Sequence, residues 1–159
     1  LFPAAELVGI RGNIDTRVSK ALAGDVDAVV LAQAGLNRLG GFEHLAQRVL
    51  DPFECLPAPG QGALAIQCVA HRQSLIEDLE SIRCSVTTTA TQLERIYLSY
   101  IGGGCHAAVG ALAVQIDDHW QLNVMHSRGV GHPCIYKQYL GTTPKEIKQK
   151  VLSELGDLA

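Results

Sequence analysis

The sequence lacks the features by which several classes of protein are recognised. Its longest apolar runs, such as residues 28–32 and 63–66, fall far short of the roughly 20 residues that a membrane-spanning helix needs. Its formal net charge of −3 provides no basic surface for phosphates, which argues against nucleic acid as the main partner. Because 47% of its 159 residues are hydrophobic, intrinsic disorder is excluded as well. A folded core is therefore expected, in one ordinary domain or two small ones.

The chain also has no secretory signal at its start and no CxxC pair among its five cysteines. An odd number of scattered cysteines is not typical of a disulfide framework or of a zinc site. We therefore expect reduced thiols, a cytoplasmic location and no bound metal. The sequence begins without methionine and almost directly on a motif, and this predicts further sequence upstream.

The first 55 residues have the pattern of an α/β segment. A short apolar strand is expected at residues 6–10, a helix at 14–23 that Asn13 or Asp15 caps and Gly24 ends, and a buried strand at 28–32. This order predicts a right-handed βαβ crossover, followed by short helices at 34–39 and 43–49. Two strands alone would leave apolar edges unpaired, so the segment is expected to be part of a larger sheet.

The rest of the chain has the pattern of an α+β domain. Prolines and glycines between residues 52 and 62 predict a crossing segment, and a strand is expected at 63–68. Helices are predicted at 73–82 and 87–101, and three antiparallel strands at 109–116, 121–126 and 133–139, with turns at Asp117-Asp118 and Arg128-Gly129. Thr143 and Glu146 form a capping box that predicts a final helix.

Three arginines are candidates for binding an anion. Arg11 and Arg17 flank a strand-to-helix turn, where the helix dipole and free amides also favour negative charge. Arg38 follows a buried strand at the sheet edge where ligands usually bind. The guanidinium fork suits a carboxylate. The alternative is that these arginines are ordinary solvated surface charges.

Cys105 and Gln61 stand in glycine-rich surroundings. Three glycines precede Cys105, which leaves its sulfur open to close approach, although such a run also simply terminates a helix. His106 is adjacent, but neighbouring residues of an extended chain point to opposite faces, so a Cys–His nucleophile pair is not expected. The loop around Gln61 either presents its amide to a cleft or acts as a hinge.

Together these segments resemble the porphobilinogen deaminase (hydroxymethylbilane synthase) family. The matching stretches are residues 10–17 (IRGNIDTR), 27–40 (DAVVLAQAGLNRLG), 57–63 (PAPGQGA), and Glu94-Arg95 followed by Gly103-Gly104-Cys105. They occur in the family's order and with family-like spacing. Members have three domains, of which the first two resemble periplasmic binding proteins and enclose the active-site cleft. The resemblance thus assigns residues 1–55 to the second domain, 56–72 to a crossing segment and strand returning to the first, and 73–159 to the third.

The resemblance also implies a cofactor and a reaction. Cys105 matches the cysteine that holds dipyrromethane through a thioether, Arg11, Arg17 and Arg38 match arginines that bind its carboxylates, and Gly35 and Gln61 are expected to join them. Members condense four porphobilinogen units with loss of ammonia and then release hydroxymethylbilane by hydrolysis. The family's catalytic aspartate comes from the first domain, and no residue here matches it. The chain alone is therefore expected to be inactive, as a C-terminal portion of a monomeric enzyme.

The sequence departs from the family pattern at two places. His106-Ala107-Ala108 replaces the usual residues after the cysteine, and Ala90 stands where many members have arginine.

Two other functions stay open. One alternative is a non-catalytic module of solute-binding fold that binds a small carboxylate. The other is a hydrolase or transferase that uses Cys105 with a remote histidine.

Overall fold

The computed structural model describes residues 4–101, 108–127 and 132–156. The chain forms two compact units, Leu1–Leu50 and Asp51–Ala159. The first contains two helices, α1 (Ile14–Leu22) and α2 (Gln33–Leu39). The second contains, in order, α3 (Gln73–Ser81), α4 (Ser85–Ile101), β1 (Ala108–Ile116), β2 (His119–Ser127), β3 (Ile135–Gly141) and α5 (Pro144–Gly156). All five helices correspond to predicted ones.

Helix α1 begins and ends where its sequence predicts. The Asn13 side chain accepts a hydrogen bond from the Thr16 amide at 2.8 Å, which satisfies one of the donors that the first turn leaves free. The helix ends at Leu22, and Gly24 follows with a φ of 83°, a left-handed conformation that suits glycine. Of the two predicted caps, Asn13 and Asp15, the structure uses Asn13.

Four predicted elements are absent from the described residues. No strand forms at 6–10, 28–32 or 63–68, and these strand predictions are wrong for this structure. A strand exists only with a hydrogen-bonded neighbour, and none pairs with these segments in the described chain. Several apolar side chains in these segments are therefore exposed to solvent. Leu7, for example, is 90% exposed.

The helix predicted at 43–49 is also wrong, and a turn replaces it. The amide of Leu45 donates to the Phe42 carbonyl at 3.1 Å, and the Gln47 side chain donates to the same oxygen at 2.5 Å. In an α-helix that carbonyl would accept from the amide of Ala46. The side chain of Gln47 therefore takes the acceptor that a second helical turn would need.

The second unit is built on the predicted three-stranded antiparallel meander. The strand order is β1-β2-β3, so β1 and β3 are the outer strands among the described residues. Ala113 lies opposite Leu122, and Leu122 lies opposite Tyr139, which places all three on one face of the sheet. Asp117 makes the β1–β2 turn with a φ of 51°. The predicted Arg128-Gly129 turn lies outside the described residues.

Helices α4 and α5 cover this face and enclose the core. Leu93 and Tyr97 of α4 and Ile147 and Val151 of α5 are buried. They pack against buried strand residues, namely Val109, Ala111, Ala113, Trp120, Leu122, Val124 and Tyr139. The result is a small α+β domain with one hydrophobic core.

A polar pair lies at the edge of this core. The hydroxyl of Tyr97, which is fully buried, lies 2.7 Å from Nδ1 of His126. Burial disfavours the phenolate and raises the pKa of Tyr97 to about 12. The tyrosine is therefore neutral under ordinary conditions.

The predicted capping box at the start of α5 forms. The Glu146 amide donates to the Thr143 hydroxyl oxygen at 3.3 Å, and the Glu146 carboxylate accepts from the Thr142 amide at 2.8 Å. The carboxylate thus reaches one residue beyond the position of the usual reciprocal contact. Hydrogen bonds from Thr142 stabilise the charged form and lower the pKa of Glu146.

These contacts predict a pH-dependent contribution of Glu146 to stability. The charged carboxylate accepts these hydrogen bonds better than the protonated form does. Its contribution to the free energy of unfolding is therefore complete above the ordinary glutamate pKa of 4.5. The contribution is lost as the pH falls through the lower pKa of Glu146 in the folded state. Glu146→Gln should lower the urea midpoint at pH 7, and the two midpoints should converge in acid. Glu77→Gln, at an exposed site on α3, is the control. A constant difference at all pH values would contradict this origin.

Within the described residues, no helix has both the length and the apolar character needed to cross a bilayer.

Candidate functional site

A cleft of about 440 Å³ lies at the start of α1 in the first unit. One wall is the turn that leads into the helix, with residues 12–15 and Arg17. The other wall is apolar and consists of Leu31, Ala32 and Leu39. The cleft therefore combines a polar helix end with a hydrocarbon surface.

Gly12 shapes the turn that opens this cleft. Its φ of 122° is accessible to glycine, and a Cβ at this position would lie only 2.8 Å from the Thr16 side chain. The Gly12 carbonyl accepts a hydrogen bond from Nε of Arg17 at 2.8 Å. The backbone of the turn thus orients the guanidinium group of Arg17, leaving its terminal nitrogens for a ligand.

The chemistry of this cleft favours an anion. The amides of Ile14 and Asp15 belong to the first helical turn, where the backbone offers no intrahelical acceptor. The helix dipole adds partial positive charge, and Arg17 has no carboxylate partner in the described part of the chain. The Asp15 side chain also lines the cleft. An anion in the cleft would be attracted by Arg17 and repelled by the Asp15 carboxylate.

Arg11, Arg38 and Gly35 do not line the cleft, although Arg11 precedes Gly12 and Gly35 lies against Ile14. Arg11 and Arg38 are exposed, and neither lines the cleft. Arg38 lies in the last turn of α2, where its positive charge interacts favourably with the negative end of the helix dipole. A Cβ at Gly35 would lie 2.6 Å from Cδ1 of Ile14, so this glycine makes room for the start of α1. The structure thus brings Arg17 into the cleft, while the other three positions stay predictions as cofactor contacts.

The segment around Gln61 lies in the second unit and is held by hydrogen bonds on both sides. The Gly60 amide donates to Oε2 of Glu94 at 2.7 Å, and the Pro57 carbonyl accepts from the Ala111 amide at 2.9 Å. The Gln61 amide donates to the Ala58 carbonyl at 2.9 Å, which closes a turn, and the Gln61 side chain is exposed. We refer to residues 57–63 as the Gln61 loop.

Glu94 is the site residue that the sequence analysis left without a role. Its other oxygen, Oε1, accepts from the Ala113 amide of β1 at 2.9 Å, and the residue is only 6% exposed. A signal was present, because Glu94 follows Ala90 by four residues and precedes Tyr97 by three, on the face that α4 buries. A carboxylate on a buried stripe requires hydrogen-bond donors.

Cys105 lies outside the described residues, together with His106. The described cysteines, Cys55, Cys68, Cys84 and Cys134, are free thiols. Cys84 is exposed immediately before α4, and hydrogen bonds from the side chain and backbone of Thr87 lower the pKa of its thiol. It is therefore the natural competitor of Cys105 for electrophiles.

Comparison with known proteins adds to this geometry. A family model described as the dipyromethane cofactor binding domain of porphobilinogen deaminase matches residues 1–77. A porphobilinogen deaminase of Listeria monocytogenes is 37% identical over 148 residues, covering 92% of this chain and 48% of that protein. The porphobilinogen deaminase 1 of Streptomyces coelicolor is 41% identical over 159 residues, covering 97% and 49%. A Caulobacter vibrioides relative is 48% identical over 117 residues, covering 70% and 34%.

This chain belongs to the porphobilinogen deaminase family. The resemblance expected from the four motifs is confirmed. The chain spans about half the length of the Listeria and Streptomyces porphobilinogen deaminases that it matches. The match of the cofactor-domain model also confirms dipyrromethane as the cofactor of this family.

The cleft residues fit the cofactor of a porphobilinogen deaminase. Dipyrromethane carries acetate and propionate groups on flat pyrrole rings. Arg17 and the free amides of the first turn of α1 are donors suited to carboxylates, and Leu31 and Leu39 offer an apolar surface to a ring. The cleft lies within the residues that the cofactor-domain model covers.

Proposed function

We propose that this chain provides part of the cofactor- and substrate-binding machinery of a porphobilinogen deaminase. In the proposed reaction, four porphobilinogen units are condensed with loss of ammonia on dipyrromethane linked to Cys105, and hydrolysis then releases hydroxymethylbilane. The observation that carries the proposal is the orientation of Arg17 by the Gly12 carbonyl in a cleft within the region of the family match.

The residues of this chain have two roles in the proposal. Arg17, with Arg11 and Arg38, binds the carboxylates that every pyrrole unit carries, since a hydrogen bond to a charged group contributes about 1.5–3 kcal/mol. Cys105 is the covalent anchor, because a thioether withstands water through repeated turnover. When bound, dipyrromethane supplies the pyrrole α-carbon to which the first substrate unit is joined.

The finer predictions of fold and setting belong to the same proposal. Residues 1–55 would be part of an α/β domain that resembles periplasmic binding proteins, and 73–159 the domain that carries the cofactor cysteine. Exposed apolar side chains at Leu7, Val8 and Val30 support further strands beside the first unit. In the proposal the complete enzyme is a cytoplasmic monomer, and this chain alone does not turn over.

The role of Arg17 predicts a measurable loss of affinity. Porphobilinogen titrated into the ¹⁵N-labelled chain should shift the amide signals of residues 12–17. Arg17→Lys should weaken this binding about 10-fold or more, because lysine keeps the charge but loses the fork and the contact with Gly12. Arg48→Lys, at an exposed site of the same unit, should leave the affinity unchanged. Signals of residues 12–17 that do not move with the wild-type chain would exclude the cleft.

A non-catalytic carboxylate-binding module is the second candidate, because the same cleft supports it. It shares the expected titration result but not a covalent adduct at Cys105. The two candidates therefore separate by mass, in an experiment described in the Discussion.

A further inference from the structure

We propose that Glu94 is a positioning residue that fastens the Gln61 loop to α4, the helix that leads to Cys105. The proposal deepens the proposed function and rests on it. Glu94 would contact neither the cofactor nor the substrate. It would act through the backbone of residues 57–63.

The hydrogen bonds of Glu94 carry the proposal. Its two carboxylate oxygens accept from two backbone amides that are far apart in sequence, Gly60 at 2.7 Å and Ala113 at 2.9 Å. One carboxylate thus joins the loop, α4 and β1 at a single point. Within the described residues no lysine, arginine or histidine forms an ion pair with it.

Burial makes these two contacts necessary. Glu94 as a residue is 6% exposed, so its carboxylate loses hydration, and this loss destabilises the fold unless donors replace the water. Two backbone amides do so. Removal of the carboxylate would leave both amides without an acceptor, so the loop and β1 would respond together.

The backbone of the loop is shaped for this contact. Gly60 has a φ of 78°, in the region that favours glycine, and a Cβ there would lie 3.8 Å from Nε of Arg95. On its other side the loop is held to β1, where the Ala111 amide donates to Pro57 and Gly110 packs against Leu56. A loop held only by the β1 contacts would be free to pivot at Gly60, next to Gln61.

The connection to the proposed function runs along α4. Glu94 lies within this helix, which ends at Ile101, four residues before Cys105 in the sequence. A fixed contact between Gly60 and Glu94 therefore sets the position of the Gln61 backbone relative to the helix that precedes the anchor cysteine. Gln61 would then be presented to the cofactor by a constrained loop and not by a hinge.

Amide hydrogen exchange of the 159-residue chain tests the contact directly. Glu94→Met retains the length of the side chain and its helix propensity but removes both acceptor oxygens. The Gly60 and Ala113 amides should lose protection about 10-fold or more, while the Leu122 amide in the core loses less. Glu94→Gln, which keeps one acceptor, should expose only one of the two amides. Equal loss at Gly60 and Leu122 would reduce the role to general stability and overturn the proposal.

Cofactor loading separates positioning from stability. In a longer polypeptide that contains this chain and takes up dipyrromethane, Glu94→Met should slow the mass gain at Cys105. The matched control is Val151→Ala, a cavity in the same core that leaves the loop contacts intact. If both variants slow loading equally, the positioning role is refuted. If the wild-type protein never loads, the proposed function fails, whereas the exchange result still decides whether Glu94 fastens the loop.

Discussion

Replacing Cys105 by serine is expected to abolish the covalent attachment of dipyrromethane. A longer polypeptide that contains this chain is expressed with the cofactor precursor available. Its measured mass should exceed the mass calculated for the same polypeptide without modification. The Cys105→Ser variant should have the unmodified mass and no synthase activity, since a serine hydroxyl is a far weaker nucleophile than a thiolate. Intact-protein mass spectrometry reads both values directly.

Cys84→Ser is the appropriate control for this experiment. Cys84 is exposed and has a lowered thiol pKa, so it is accessible to an indiscriminate electrophile. The adduct should nevertheless persist in Cys84→Ser, and also in Cys68→Ser. An adduct that disappears with Cys84 and survives in Cys105→Ser would refute the anchor assignment. A bare mass in the wild-type protein would favour the carboxylate-binding module.

The second large effect is expected in the core of the second unit. Leu122 is 0% exposed on the middle strand β2, between Ala113 and Tyr139. Leu122→Ala should reduce the free energy of unfolding by about 2–5 kcal/mol, because it removes buried methyl groups and leaves a cavity. Urea unfolding followed by the fluorescence of the single tryptophan, Trp120, measures this loss in the same core.

Leu140→Ala makes the same chemical change on the opposite face of the sheet. Leu140 is 50% exposed on β3, so its truncation should change the unfolding free energy far less than Leu122→Ala does. Similar losses in both variants would mean that the α4–α5 face does not contain the main core.

The helices and the meander of the second unit were predictable for a physical reason, although the strand predicted at 63–68 in the same unit did not form. In the second unit, Leu93 and Tyr97 follow helical periodicity, and the meander brings its own strands together, so local pattern and packing agree. Pairing of β1 with β2 needs only a short turn at Asp117. These elements were predictable because their partners lie nearby in the same sequence.

The strands predicted at 6–10, 28–32 and 63–68 failed because no described segment forms hydrogen bonds with them. Residues 28–32 are apolar enough for a buried parallel strand, but such a strand needs neighbours on both edges. Helix α1 formed regardless, because Asn13 and Gly24 supply its ends locally. Local signals thus decided α1, whereas the predicted strands needed tertiary partners, and the helix predicted at 43–49 was lost because the Gln47 side chain takes the Phe42 carbonyl.

The candidate site was predictable only as far as its chemistry was local. Arg17 lies five residues from Gly12, and the turn itself brings them together. Glu94 lies 34 residues from Gly60, and this contact depends on how the Gln61 loop crosses the unit. No periodicity in either segment encodes that contact, so the sequence places Glu94 in a motif but does not predict its partner.

The outer strand β3 has a consequence for handling the protein. Its single lysine, Lys137, pairs with Glu154 of α5, and Ile135 and Tyr136 are exposed. Proteins commonly protect such a border with free charges or proline, and β3 contains neither. Among the described residues no strand lies beyond β3, so concentrated samples should self-associate through lateral strand addition, and Tyr136→Lys should suppress that aggregation.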